Sequence, residues 1–366
     1  MVKTRNLGID TLRGVACLLL VALHVIGEQP EHGLRVADDH PLALFTALFF
    51  HLRMPMFAML SGFVYAYRPV GTGGFGGFMA GKLRRLGLPF LFAAGSFWAI
   101  NTALGGGYGV PLPEAWKVFL QPYAQFWFLQ SIIVLFAVIA IADTLFPRSP
   151  FNVAVGFLVI SGALFLSPVA NGIEWFSLER TFYLAPFFAF GIVLNRIGPN
   201  PPRILVGTVL VGLLLVFTLN ALNVFADPAA PLVRRTAVGL SLGLCFSGFL
   251  ILKHFSIKPL AWIGHHSFTI YLYHMFPVMA LQMAYEIIFR PEPYVGLALG
   301  LTAGIAGPIV LHLIVERIGG WPMLIALGLS PKKAKPAPVE QAAEPAAQTP
   351  APASAPNPLA WPEAGR

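Results

Sequence analysis

A polytopic all-α membrane protein, a bundle of about ten transmembrane helices, is the fold class that this 366-residue sequence predicts. Charged residues make up only 11% of it and hydrophobic residues 57%. Soluble domains carry about 25% charged residues, so this chain lacks the polar groups to cover a water-facing surface. A mean hydropathy of +0.72 agrees. The apolar runs are rich in Phe, Leu, Gly and Ala and have the length of a membrane helix, about 20 residues, rather than the short alternating pattern of an outer-membrane barrel.

Taken in order, the windows of sufficient length fall near residues 11–27, 42–67, 86–104, 124–146, 151–169, 181–197, 203–222, 233–253, 266–288 and 294–316. The first carries Arg13 and His24 inside its apolar run. The second carries His51 and Arg53 in "FFHLRMPMF", where Pro55 interrupts the hydrogen-bond ladder. Its Ser61-Gly62 reads as a close helix contact, and no G-x-S-x-G turn makes Ser61 a nucleophile. Ahead of the third window, "GTGGFGGF" reads as a hinge, since it lacks the Lys-Ser/Thr of a phosphate loop. Tyr123 and Trp127 open the fourth as interfacial aromatics, and His265 and His266 are expected at the membrane interface beside the ninth. Residues 1–322 thus form the transmembrane domain. The Pro/Ala-rich stretch 323–366 is too poor in apolar surface to offset the entropy of ordering and reads as a disordered cytoplasmic tail.

Lys and Arg are in excess on the cytoplasmic side of membrane proteins. With the N-terminus inside, sixteen of them fall in inner segments and six in outer loops, which predicts that both termini are cytoplasmic. The net charge of +8 is then mostly this asymmetry rather than a nucleic-acid footprint. Arg13 interrupts the apolar core that a signal peptide needs, and "LHVIGEQP" offers no A-x-A-like cleavage site, so the first span is expected to be retained. Cys17 and Cys245 both fall in spans and imply no disulfide framework.

Eleven helical steps at about 100° bring Arg13 and His24 onto one face, about 16 Å apart along the axis. Asp10, a turn before Arg13, and Glu28, a turn after His24, extend them into a polar stripe. Ionisable groups cost several kcal/mol against lipid, so the stripe should face the bundle interior or a wet cavity. Snorkelling would account for Arg13 alone and a structural hydrogen bond for His24 alone; their shared face argues for a site. Arg53 needs a carboxylate, carbonyls or water at its depth. It is expected to line the same cavity with His51, although a structural ion pair would meet the same need. Lys82 and Arg85, three apart, share a face beside Arg84, and ordinary positive-inside charge explains many such clusters. The nine histidines show no H-x-x-x-H or H-E-x-x-H spacing and no Cys/His cluster, so no metal site is predicted.

These residues also carry a resemblance. "IDTLRGVACLLLVALH" is similar to the opening of the acyltransferase-3 family of integral membrane acyltransferases, with its signature of Arg, ten residues and His. "MPMFAMLSGFVYAYR" (54–68), "KLRRLGLPF" (82–90) and "AQFWFLQSIIVLF" (124–136) resemble further family segments in the same order. So do "IGHHSFTIYLYHMFP" (263–277) and "LHLIVERIGG" (311–320), the latter carrying "ERIGG" where the family commonly has Glu-Arg-Pro. Together they cover roughly residues 5–320.

The resemblance implies an enzyme of the bacterial inner membrane that moves an acyl group, often acetyl, from cytoplasmic acyl-CoA to a hydroxyl of a sugar, glycan or related acceptor. Membrane lipids are its surroundings, and no permanently bound cofactor is implied. It implies His24 as the chemical group, either a general base or an acyl carrier, with Arg13 in support and Glu28 orienting the ring. Lys82, Arg84 and Arg85 would meet the CoA phosphates; Arg53, His51, His274 and Glu316 would line the substrates. A transporter or flippase of a polar or lipid-linked solute is the rival from another class. Paired broken helices in two inverted halves would favour it, and no such symmetry is evident.

Overall fold

The computed structural model describes residues 6–329 except 28–31, 72, 170, 199–200, 228–233, 255, 289 and 319. Among these residues every regular element is helical and none is a strand. The first, α1 (Leu7–Ile26), is capped by Asn6, whose Oδ1 accepts from the amides of Gly8 at 3.0 Å and Ile9 at 3.2 Å. Gly27, at φ 103°, ends it in a conformation that suits glycine. After α2 (Pro41–Phe49) the chain turns over residues 50–52 before α3 (Arg53–Tyr65). Pro55 falls in the first turn of α3, where its missing N–H interrupts no helical bond.

A π-helical turn, Leu83–Gly87, joins α4 (Phe75–Lys82) to α5 (Leu88–Ala103). The short α6 (Lys117–Leu120) leads through a 3-10 turn, Ala124–Phe126, into α7 (Trp127–Leu145). Then come α8 (Pro150–Leu166), α9 (Leu178–Ile197), α10 (Arg203–Ala226) and α11 (Arg234–His254). The chain closes with α12 (Lys258–His265), α13 (Ser267–Tyr273), α14 (Met275–Ile287), α15 (Pro293–Ile318) and α16 (Trp321–Ala326).

Among the described residues, seven stretches are long and apolar enough to cross a membrane: Leu7–Ile26, Pro41–Tyr65, Phe75–Ala103, Leu112–Leu145, Trp175–Ile197, Val206–Ala226 and Pro293–Ile318. The sequence predicts about ten, and the other three are present as shorter or broken helices. α8 has 17 residues, the apolar part of α11 runs over Gly239–Leu250, and the expected span 266–288 is divided at His274 into α13 and α14. The domain boundary expected after residue 322 falls inside α16. Residues 330–366, which hold most of the expected tail, lie outside the described residues, as does Glu28.

Glycines set the tightest contacts. A Cβ on Gly62 of α3 would lie 2.0 Å from the Phe188 carbonyl oxygen, and one on Gly191 of α9 would lie 1.9 Å from that of Met59. The Ser61-Gly62 reading as a close contact is met by this pair. α1 crosses α12 in the same manner: a Cβ on Gly14 would stand 2.1 Å from the Leu260 carbonyl oxygen, and one on Gly264 1.8 Å from that of Asp10. Lipid removes the hydrophobic drive between helices, so close backbone approach supplies dispersion contacts in its place. At one end of α3 a buried polar group joins three helices. Arg196 Nη2 lies 3.3 Å from Asp143 Oδ2, which also accepts from the Tyr65 hydroxyl at 2.7 Å.

The Gly62–Gly191 contact makes a direct prediction. Gly191→Ala should lower unfolding stability in detergent by about 1–3 kcal/mol, the cost of overpacking. Gly156→Ala on α8, where a Cβ would meet nothing within 4 Å, should be neutral or gain about 0.5–1 kcal/mol. Equal melting of the Gly191→Ala and wild-type proteins would contradict the contact.

Candidate functional site

His24 lies in the last turn of α1, between Leu23 and Val25, which are each 2% exposed. The histidine itself is only half-buried. Its ring centroid stands 5.2 Å from that of His274, with the planes tilted by 40°. His274 occupies the joint between α13 and α14 and is fully buried. Its Nδ1 lies 2.8 Å from the Ile270 carbonyl oxygen and 3.0 Å from that of Tyr271. A carbonyl can only accept, so Nδ1 carries the hydrogen and the neutral ring presents Nε2 as an acceptor. That Nε2 is buried without a hydrogen-bond partner among the described residues, an uncommon state for a buried polar atom.

His51 and Arg53 fall inside the Pro41–Tyr65 stretch, as expected, at a break in its helix: His51 lies in the turn over residues 50–52 and Arg53 is the first residue of α3. The break brings both side chains to the His24 end of the bundle. Arg53 is 7% exposed, its guanidinium 4.4 Å from the Phe50 ring centroid, and it lies within electrostatic reach of His24, His51 and Tyr183. His51 Nδ1 shares a 3.3 Å hydrogen bond with the Tyr183 hydroxyl, and Ser241 Oγ donates to the His51 carbonyl oxygen at 2.5 Å. Tyr183 carried no signal in the sequence, because an aromatic residue in a membrane helix reads as packing.

The other candidates lie elsewhere. Arg13, about 16 Å along α1 from His24, meets Asp10 Oδ1 at 3.4 Å. The Lys82 ammonium sits 3.4 Å from the Phe136 ring centroid and within electrostatic reach of Arg85, whereas Arg84 and Arg85 in the π-helical turn are exposed. Such a turn widens the helix and shifts the angular register of the residues in it. Glu316 is placed near His312.

His312 belongs to a histidine group that the sequence reading passed over. His266, expected at the membrane interface, is 4% exposed, its ring centroid is 4.7 Å from those of His265 and His312, and its Nδ1 meets the Trp262 carbonyl oxygen at 3.0 Å. The bend between α12 and α13 turns that ring inward. A readable signal was the spacing of His312 and Glu316, one helical turn apart. Tyr123 is likewise buried, its hydroxyl donating to the Tyr108 carbonyl oxygen at 2.8 Å. No group of three or more His, Cys, Asp or Glu among the described residues is arranged to hold a metal ion.

The half-buried His24, the orphan nitrogen of His274 and the cationic Arg53 thus converge at one end of the bundle. They offer a proton acceptor, an orienting group and a positive charge. A family model described as an acyltransferase domain, Acyl_transf_3, matches residues 6–313. No curated protein and no solved structure matches the chain.

Proposed function

The chain belongs to the acyltransferase-3 family, and from that membership we propose that it transfers an acetyl or similar acyl group from cytoplasmic acyl-CoA to a hydroxyl of a sugar, glycan or related acceptor. The observation that carries the reading is the pairing of His24 with His274. In this reading a turn of the His24 ring, whose centroid stands 5.2 Å from that of His274, brings one of its N–H groups to the His274 Nε2 that has no hydrogen-bond partner among the described residues, which leaves the other His24 nitrogen to take the proton of the acceptor hydroxyl. The freed oxygen attacks the thioester carbonyl, the C–S bond breaks, and the leaving CoA thiolate receives the proton from His24. Arg53 stabilises the negative charge that develops on the carbonyl oxygen. No metal or redox partner is needed for the balance.

Arg84 and Arg85 meet the phosphates of the donor on the cytoplasmic side, with Lys82 behind them and Arg13 and Glu316 at the same end of the bundle as part of the donor approach. The charge asymmetry of the loops supports that orientation, with both termini inside and the His24 end towards the opposite face. The expected setting is a bacterial inner membrane.

His24→Asn keeps approximate size and a hydrogen-bond donor but cannot cycle a proton near neutral pH. In purified protein of verified fold it should bind acyl-CoA normally and lose about 10²- to 10⁴-fold in turnover. Transfer at close to the wild-type rate would make His24 a packing residue.

Orientation has its own test, because Cys17 and Cys245 are both buried and give little background. A membrane-impermeant maleimide applied to intact cells should label Asp39→Cys and spare Ala80→Cys, both at exposed positions. The reverse pattern would overturn the orientation and the donor side with it.

A further inference from the structure

Gln125 carries a buried amide with no hydrogen-bond partner among the described residues. It lies in the 3-10 turn ahead of α7, is 5% exposed, and neither its Nε2 nor its Oε1 has a hydrogen-bond partner among the described residues. A buried amide without partners loses its hydration and gains nothing in return. Gln130, on α7 itself, shows the ordinary structural solution. Its Nε2 donates to the Phe119 carbonyl oxygen at 2.8 Å and to that of Gln121 at 3.2 Å, while its Oε1 accepts from Ser177 Oγ.

The position of Gln125 is tightly held. Ala124 before it has φ 40°, in the left-handed region that strains a residue with a Cβ. The Gln125 carbonyl oxygen accepts from the Tyr271 hydroxyl. Tyr271 belongs to α13, and its own carbonyl is one of the two that fix His274. Phe128 packs on Phe57 of α3 at 6.1 Å and on Tyr271 at 5.6 Å. Gln125 is therefore tied to α13, which ends at His274, and the turn that holds it leads into Phe128, which packs on α3.

A primary amide offers a donor and an acceptor side by side. Two adjacent hydroxyls match that pair, one donating to Oε1 while its neighbour accepts from Nε2. A monoalcohol leaves half of the amide unpaired, and a trans secondary amide such as those of a CoA arm directs its N–H and C=O to opposite sides. Resting on the acyl-transfer reading above, we propose that Gln125 is a substrate ligand whose amide holds a pair of adjacent hydroxyls on a carbohydrate acceptor, selecting acceptors that carry such a pair.

Gln125→Met keeps the length of the side chain and removes its hydrogen bonding. Acetyl transfer from acetyl-CoA is measured to methyl β-glucoside, which has adjacent hydroxyls, and to cyclohexanol, which has one; heat stability is measured with and without methyl β-glucoside. The wild type should prefer the glucoside and be stabilised by it. The variant should melt no lower than wild type, bind acetyl-CoA unchanged, lose about tenfold in kcat/KM for the glucoside, keep its rate on cyclohexanol, and lose the glucoside's stabilisation. An unchanged preference and unchanged stabilisation would make Gln125 a structural amide, and a loss confined to acetyl-CoA binding would move it to the donor; either overturns the proposal. Should the variant fail to fold, the wild type decides: no preference and no stabilisation by the glucoside overturn it. A wild type that transfers to neither acceptor overturns the acyl-transfer reading instead, while the stabilisation measurement still reports on Gln125.

Discussion

The crossing of Gly14 and Gly264 fixes where α1 stands, and the site depends on it. At that crossing a side chain on either glycine would occupy the partner's carbonyl, so the two backbones are locked at one point. From there α13 and α14 run beside α1 in parallel. Cys17 meets the Ser267 carbonyl at 3.8 Å, and the same separation of 250 positions brings His24 to His274. Gly300 and Gly304 of α15 receive Val25 and Val21 of α1 on another side. A shift of one helical turn along α1 would carry His24 about 5.4 Å from its partner. Register therefore governs chemistry in this bundle.

The second constraint is the main chain. Breaking a helix in a membrane frees carbonyls that lipid cannot satisfy, yet the helices break at residues 50–52 and at His274, both beside His24. Polar side chains meet carbonyls at these breaks and at the end of α1. Ser241 Oγ donates to the His51 carbonyl oxygen, Gln282 Nε2 donates to that of His24 at 2.9 Å, and His274 Nδ1 meets two carbonyls of α13. These bonds also orient the side chains that the proposed chemistry uses. Structure and function share the same polar atoms here.

The one-sided stripe of α1 was legible because a helical period of 3.6 residues fixes which residues share a face. Helical class and the presence of apolar stretches of membrane length were legible from composition. Continuity was legible only in part, since a hydropathy window averages over a break: in "FFHLRMP" Pro55 marked an interruption and the chain turns just before it at Phe50–His51–Leu52, whereas nothing in "IYLYHMF" marks the division at His274 between two strongly apolar halves. Pairings between distant segments were also out of reach. Nothing in the spacing joins His24 to His274, or Tyr271 to Gln125, because tertiary packing alone decides which faces meet. The burial of His266 was out of reach for the same reason, since its place in the sequence says nothing of the bend that buries its ring.

The account's central claim is that His24 and His274 act as one unit. A double-mutant cycle on turnover tests it most directly, comparing His24→Asn, His274→Asn and the combined variant in protein of verified fold, with acyl-CoA binding followed separately. Residues that act as a unit give strongly non-additive losses. The account predicts that the combined variant transfers acyl groups no more slowly than the slower of the two single variants. Losses that multiply would mean that the two histidines act independently, and the pairing at the end of α1 would not be the catalytic centre.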